Sequence, residues 1–242
     1  MKIVSLVPSI TETLFDFGLT GNDVIGRTKF CIHPENLVKN VPIIGGTKNL
    51  NIEKIIALKP DLIIANKEEN EKLQVEELMK HSEVWVTDIK TLEDNSKFIF
   101  EVGELLHQKE KAAQFNKIID SIFQNSSSLQ PKKAAYLIWK NPYMTIGSDT
   151  FIHDVLEKIG VENIAKNQLR YPEISLEEMS GADFILLSSE PFPFQNKHIK
   201  ELQEQLPHSK IILVDGEAFS WFGTHISKCA NNYQKLKTEI FA

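Results

Sequence analysis

Short apolar, β-branched runs alternate with stretches of helical spacing along the whole 242-residue chain, and this limits the possible folds more than any other feature. Residues 2–7 (Lys-Ile-Val-Ser-Leu-Val) read as a buried strand. Ser9 and Glu12 then have the spacing of a capping box, opening a helix that should stop near Gly18. Residues 51–58 read as a helix closed by Lys59-Pro60, 61–65 as a strand, 68–80 as a helix and 84–88 as a strand. Strands linked through helices pair in parallel, because each crossover returns the chain to the same end of the sheet.

The rhythm breaks between residues 91 and 123. Phe98, Val102, Leu105, Ala112, Phe115, Ile118, Ile119 and Ile122 recur there at helical spacing. About 32 residues would make one rod of roughly 48 Å, interruptible at Gly103 or at His107-Gln108-Lys109 and ended by Ser126-Ser127-Ser128 and Pro131. A second set follows: strands at 134–139, 183–187 and 210–214, and helices at 151–159, 196–206 and 224–240. The expected fold class is α/β, with two Rossmann-like lobes of mostly parallel sheet joined by one long bridging helix. Residues 1–90 form the first lobe, 91–128 the helix and 129–242 the second lobe. The halves also echo each other: residues 51–55 lead through Lys59-Pro60-Asp61 into Leu62-Ile63-Ile64, and 175–179 lead through Gly181-Ala182-Asp183 into 184–187. Each of these helices opens on an N-cap residue, Asn51 or Ser175, with a glutamate two positions later where the helix dipole favours an anion.

A net charge of −6, with Lys and Arg scattered along the chain, gives no footprint for nucleic acid. No run approaches the roughly 18–20 apolar residues of a membrane span, and Lys2 runs directly into a strand with no signal-peptide pattern. Cys31 and Cys229 are too sparse for a disulfide framework. Catalytic signatures such as Gly-x-Ser-x-Gly, His-Glu-x-x-His and Gly-x-Gly-x-x-Gly are missing, and the adjacent His153 and Asp154 point in different directions on their helix. The expectation is a monomer with no catalytic residues, resident metal or intrinsic cofactor.

Loops after the strands carry the candidate ligand contacts, as is usual in open α/β sheets. They comprise Ser9 at the first helix; Phe30, Cys31 and His33 in one loop; Thr47 and Lys48 in the Gly45-Gly46-Thr47-Lys48-Asn49 loop; and Asn66 and Lys67 at a strand end. In the second half they are Phe192, and Trp221, Phe222 and His225 before the last helix. Cys31 and His33 are metal-ligating types, but with no further Cys or His beside them ligand contact is expected rather than metal ligation. The glycines at 45–46 lack the spacing of a phosphate-binding loop, which leaves a flexible loop lining a cleft.

The segments Ile3-Val4-Ser5-Leu6-Val7-Pro8-Ser9-Ile10-Thr11-Glu12 and 51–64 (Asn-Ile-Glu-Lys-Ile-Ile-Ala-Leu-Lys-Pro-Asp-Leu-Ile-Ile) resemble the receptors for cobalamin, haem and ferric siderophores that serve ABC importers. With Asn141-Pro142-Tyr143-Met144-Thr145-Ile146-Gly147 and Arg170-Tyr171-Pro172-Glu173-Ile174-Ser175, the chain is most similar to the cobalamin-binding branch. The resemblance implies two α/β lobes bridged by a long helix, and a metal chelate held in the cleft between them. A corrinoid is the first choice; a ferric siderophore or haem is the second. It further implies that Glu53 and Glu177 dock onto arginines of a membrane permease. Phe30 and Tyr171 keep an aromatic at two ligand positions, Met144 stands where another is expected, and Thr47 and Asn66 replace two tryptophans. Location follows as periplasmic or cell-envelope, with a cytoplasmic binder or sensor the alternative suggested by the missing leader, and an α/β enzyme using the same cleft a more remote one.

Overall fold

A computed structural model describes residues 1–124 and 130–241. The chain divides into two compact units. The first takes in residues 1–89, 93–117 and 221–225, the second residues 90–92, 118–220 and 226–242.

In the first unit β1 (Ile3–Ser5) leads into α1 (Pro8–Asp16), β2 (Val24–Arg27), the short helix α2 (Glu35–Val38) and a two-strand hairpin of β3 (Gly45–Gly46) and β4 (Asn49–Leu50). Then come α3 (Ile52–Ala57), β5 (Leu62–Asn66), α4 (Lys72–Met79) and β6 (Val84–Thr87). Four strands form a parallel sheet in the order β2-β1-β5-β6. All five residues of β5 are buried, as a central strand covered on both faces requires. Asn51 caps α3 through its side chain, which accepts the Lys54 N–H at 2.9 Å.

Two expectations fail here for local reasons. Helix α1 begins at Pro8, whose missing N–H is harmless in a first turn, and its N-cap is Val7, so Ser9 and Glu12 form no capping box. The stretch 91–123 is two helices, α5 (Leu92–Leu105) and α6 (Lys109–Phe123), rather than one rod. His107 turns the chain with φ +56°. Gly103 lets the two helices approach, because a Cβ there would lie 2.5 Å from the Ala112 Cβ. Asn116 Nδ2 also donates to the Ser96 carbonyl at 3.0 Å. The division between the units falls inside α6, between Lys117 and Ile118. The serine run at 126–128 lies outside the described residues.

The second unit contains β7 (Lys132–Leu137), α7 (Phe151–Lys158), β8 (Val161–Asn163), α8 (Leu176–Met179), β9 (Phe184–Ser188), α9 (Asn196–Gln205) and β10 (Lys210–Val214). After α10 (Gly216–Ser220), the expected closing helix is split: a 3-10 turn over Gly223–Lys228 precedes α11 (Ala230–Phe241). Its sheet is again parallel, in the order β10-β9-β7-β8. Leu137, Ile185, Leu187, Phe194 and Leu202 pack in the core beside it, each burial contributing about 1.5–3 kcal/mol.

The two sheets therefore share one topology. In each, the first strand lies between the second and the third, with the fourth outside the third. The helix–turn–strand echo read in the sequence is α3–β5 in one unit and α8–β9 in the other. Ser175 and Glu178 form the full capping box of α8.

Candidate ligand-binding loops

In a sheet of this order the chain leaves the first strand in one direction and the third in the other, opening a crevice beyond their carboxyl ends. The two units treat that crevice differently.

In the first unit it is stitched with hydrogen bonds. Asn70 Nδ2 donates to the carbonyls of Leu6, just past β1, and Thr47, at 3.2 and 3.1 Å. Asn66 Oδ1 accepts the N–H groups of Glu68 and Glu69, and its amide donates to Thr87 Oγ1 at 3.1 Å. Asn66 and Thr47 are thus buried, with polar atoms of each engaged inside the unit. The 45–49 segment is an ordered hairpin, not a loose loop. Lys48 reaches the Glu68 carbonyl at 2.7 Å, and Lys67 pairs with Asp88 at 2.9 Å, both exposed.

The loop after β2 divides its residues by burial. Phe30 is 49% exposed, with Lys29 Nζ 4.9 Å from its ring centroid. Cys31 is fully buried and held by the Thr11 and Thr28 hydroxyls at 3.0 and 3.2 Å. Burial pushes its thiol above the usual range, which keeps it protonated. His33 lies 5.4 Å from Trp221 and 6.3 Å from His225 between ring centroids.

Trp221 and His225 belong to residues 221–225, expected in the second lobe but forming part of the first unit. The Gly223 N–H donates to Asn95 Oδ1. Thr224 donates its N–H to Thr13 Oγ1 at 3.1 Å and its hydroxyl to Asp16 Oδ2 at 2.6 Å. His225 Nδ1 donates to Glu12 Oε2 at 2.7 Å, both side chains almost out of solvent. Glu12, read in the sequence as a capping residue, holds this strap instead. Trp221 and Phe222 are 7% and 5% exposed, and Phe222 stands edge-on to Phe98 at 5.6 Å. Both are thus buried aromatics of the first unit. Ser9 is buried too, its carbonyl accepting the Thr13 hydroxyl.

In the second unit the crevice is aromatic. The Phe192 N–H, past β9, donates to the Ile138 carbonyl, past β7, at 3.2 Å, tying the two loops together. Met144 sits between Trp139 and Glu173 through two antiparallel bridges. Trp139 is 42% exposed and meets Phe192 edge to face at 5.7 Å. Phe192 rests on Phe194 at 4.7 Å and on His198 at 5.5 Å. Tyr171 carries Arg170 over its ring at 5.5 Å. Met144, Tyr171 and Phe192 thus all lie in loops, partly buried. Trp139 was missed because its place after an apolar run reads as the end of a strand.

His198 supports this group from below. Its Nδ1 accepts the Gln195 N–H at 2.9 Å, which requires the neutral ring. Burial, with Lys140 nearby, holds its pKa below the ordinary histidine value. The unfolded chain therefore binds this proton first as pH falls. The stability His198 contributes is complete above about pH 6.5 and is lost as pH falls through its lower folded-state value. Thermal melts between pH 7.5 and 5.5 should show a steeper loss for the natural protein than for His198→Asn, which keeps an acceptor. Equal slopes would contradict the assignment.

Two exposed carboxylates complete the picture. Glu53 and Glu177 occupy the second helical position of α3 and α8, the equivalent helices of the two units.

Each unit is thus a parallel α/β sheet of the same strand order, with loops gathered at its strand ends. The chain belongs to the periplasmic binding protein family, whose description matches residues 3–207. It is 30% identical over 189 residues to an ABC transporter substrate-binding lipoprotein of Bacillus subtilis, covering 73% of this chain and 59% of the relative. It is 27% identical over 185 residues to the vitamin B12-binding protein of Salmonella typhimurium, covering 74% and 68%. The fold is similar to that of a periplasmic haem-binding protein of Vibrio cholerae, with TM-score 0.81 at 20% identity over 100% and 99% of the two chains.

Proposed function

We propose that the protein is the substrate-binding component of an ABC importer, and that it binds a metal chelate. A corrinoid is the first choice, haem or a ferric siderophore the second. The chelate is bound by the loops that follow the strands, among them those of Phe30, Met144, Tyr171 and Phe192, and is handed to a permease recognised through Glu53 and Glu177. The protein acts as a monomer in the periplasm or at the cell envelope, and its work is binding and release with no covalent step.

The observation that carries this reading is the aromatic crevice at the strand ends of the second unit, on a chain of this family. Aromatic walls suit a large apolar ring system, since each ring adds stacking to buried area. Relatives named for vitamin B12 and haem point to the same ligand chemistry. Titration with cyanocobalamin, cobinamide, haemin and a ferric hydroxamate, followed by tryptophan fluorescence, tests it. Saturable submicromolar binding of one chelate is expected; an unchanged signal across all four would overturn the reading.

A further inference from the structure

We infer that Trp139 is a specificity-determining residue of the binding site, a stacking platform that favours a chelate with a flat conjugated face over a compact ferric hydroxamate complex. The inference rests on the chelate-binding reading and names which surface does the selecting.

Three independent features converge on this side chain. It lies two residues past Leu137, the end of β7, on the rim of the crevice between the first and third strands of its sheet. Ligands of open α/β sheets gather there. Its backbone is fixed, because the Ile138 N–H donates to the Met144 carbonyl at 3.0 Å and the Met144 N–H to the Trp139 carbonyl at 3.2 Å. Its side chain is buttressed yet open: Phe192 supports it while 42% of it stays in solvent. A tryptophan kept open on a rigid frame preserves apolar surface that a ligand can cover, with little ordering left to do on binding. The corresponding crevice of the first unit is instead stitched by the amides of Asn66 and Asn70.

Stacking on one indole is worth about tenfold in affinity, judged from aromatic platforms elsewhere. The chain is labelled with 5-fluorotryptophan, and the Trp139 fluorine resonance is assigned by its loss in Trp139→Phe. Haemin, cyanocobalamin and a ferric hydroxamate are titrated against the natural protein, Trp139→Phe, Trp139→Ala and the control Trp85→Phe. The expected result is a large shift of the Trp139 resonance with a tetrapyrrole. Trp139→Ala should lose roughly tenfold in tetrapyrrole affinity, and Trp139→Phe and Trp85→Phe less than about threefold. Hydroxamate affinity should be unchanged by Trp139→Ala. Unfolding curves for Trp139→Ala should overlay those of the natural protein, so that lost affinity is not lost fold. A tetrapyrrole that binds Trp139→Ala as tightly as the natural protein, or that leaves the Trp139 resonance of the natural protein unmoved, overturns the inference while the chelate-binding reading stands. Failure of the natural protein to bind any of the three overturns both.

Discussion

Replacing Gly223 by alanine is expected to destabilise the protein by about 3 kcal/mol, combining backbone strain with a steric clash. Gly223 has φ +82°, a region that side chains disfavour, and a Cβ there would lie 2.1 Å from Thr13 Oγ1. That overlap cannot be relieved locally. Thr13 is buried, its hydroxyl donates to the Ser9 carbonyl, and it accepts the Thr224 N–H. Moving residue 223 away would also break the Asn95 bond and disturb the His225–Glu12 pair. A cost of this size lowers the thermal midpoint by roughly 6–12 °C in a chain of this length. Gly181→Ala is the matched control, since the nearest atom to a Cβ there is 3.7 Å away; its effect should stay within about 0.5 kcal/mol. A Gly223→Ala protein that melts with the natural one would mean that residues 221–225 do not pack against α1 and α5 as described.

The second large effect is expected in delivery rather than stability. Glu53 and Glu177 are exposed, and each sits two residues past a side-chain N-cap on the helix that precedes the third strand of its unit. Two carboxylates at equivalent points of a repeated unit can be read by paired guanidinium groups, with bidentate geometry that sets orientation. Reversing both charges, Glu53→Lys with Glu177→Lys, places like charges against that partner. If each lost contact costs about 2 kcal/mol, delivery falls by roughly 30-fold per site. The helices themselves lose at most about 1 kcal/mol each from an unfavourable dipole interaction. Ligand affinity should therefore stay within about twofold while uptake into cells, or ligand-stimulated ATP hydrolysis by the reconstituted permease, collapses. The paired Glu→Gln substitutions should fall between. Undiminished uptake by the double reversal would remove these residues from the interface.

The central strands and most helices were legible because burial on both faces leaves an apolar run, as in Leu62-Ile63-Ile64-Ala65 and Phe184-Ile185-Leu186-Leu187. The repeat was legible for the same reason, helped by the N-caps Asn51 and Ser175. Shorter edge strands were not: Val24-Ile25-Gly26-Arg27 and Val161-Glu162-Asn163 are too brief and too mixed to stand out. The break between α5 and α6 was one of several sites periodicity allowed, since only the backbone at His107 and the closeness of Gly103 to Ala112 decide it. The candidate site was less legible still. Glu12 and His225 are 213 residues apart and meet only through the fold. Cys31, Trp221 and Phe222 sit in loops whose composition suggested exposure, yet tertiary packing buries all three. Trp139 shows the reverse: its place beside an apolar run hides an exposed ring.

The central claim, that this chain captures one metal chelate intact, is tested most directly by native mass spectrometry after incubation with an equimolar mixture of cyanocobalamin, cobinamide, haemin and a ferric hydroxamate. The account predicts a single added mass, equal to one unaltered chelate per chain. A spectrum holding only free protein, or low and equal occupancy by all four, would contradict it.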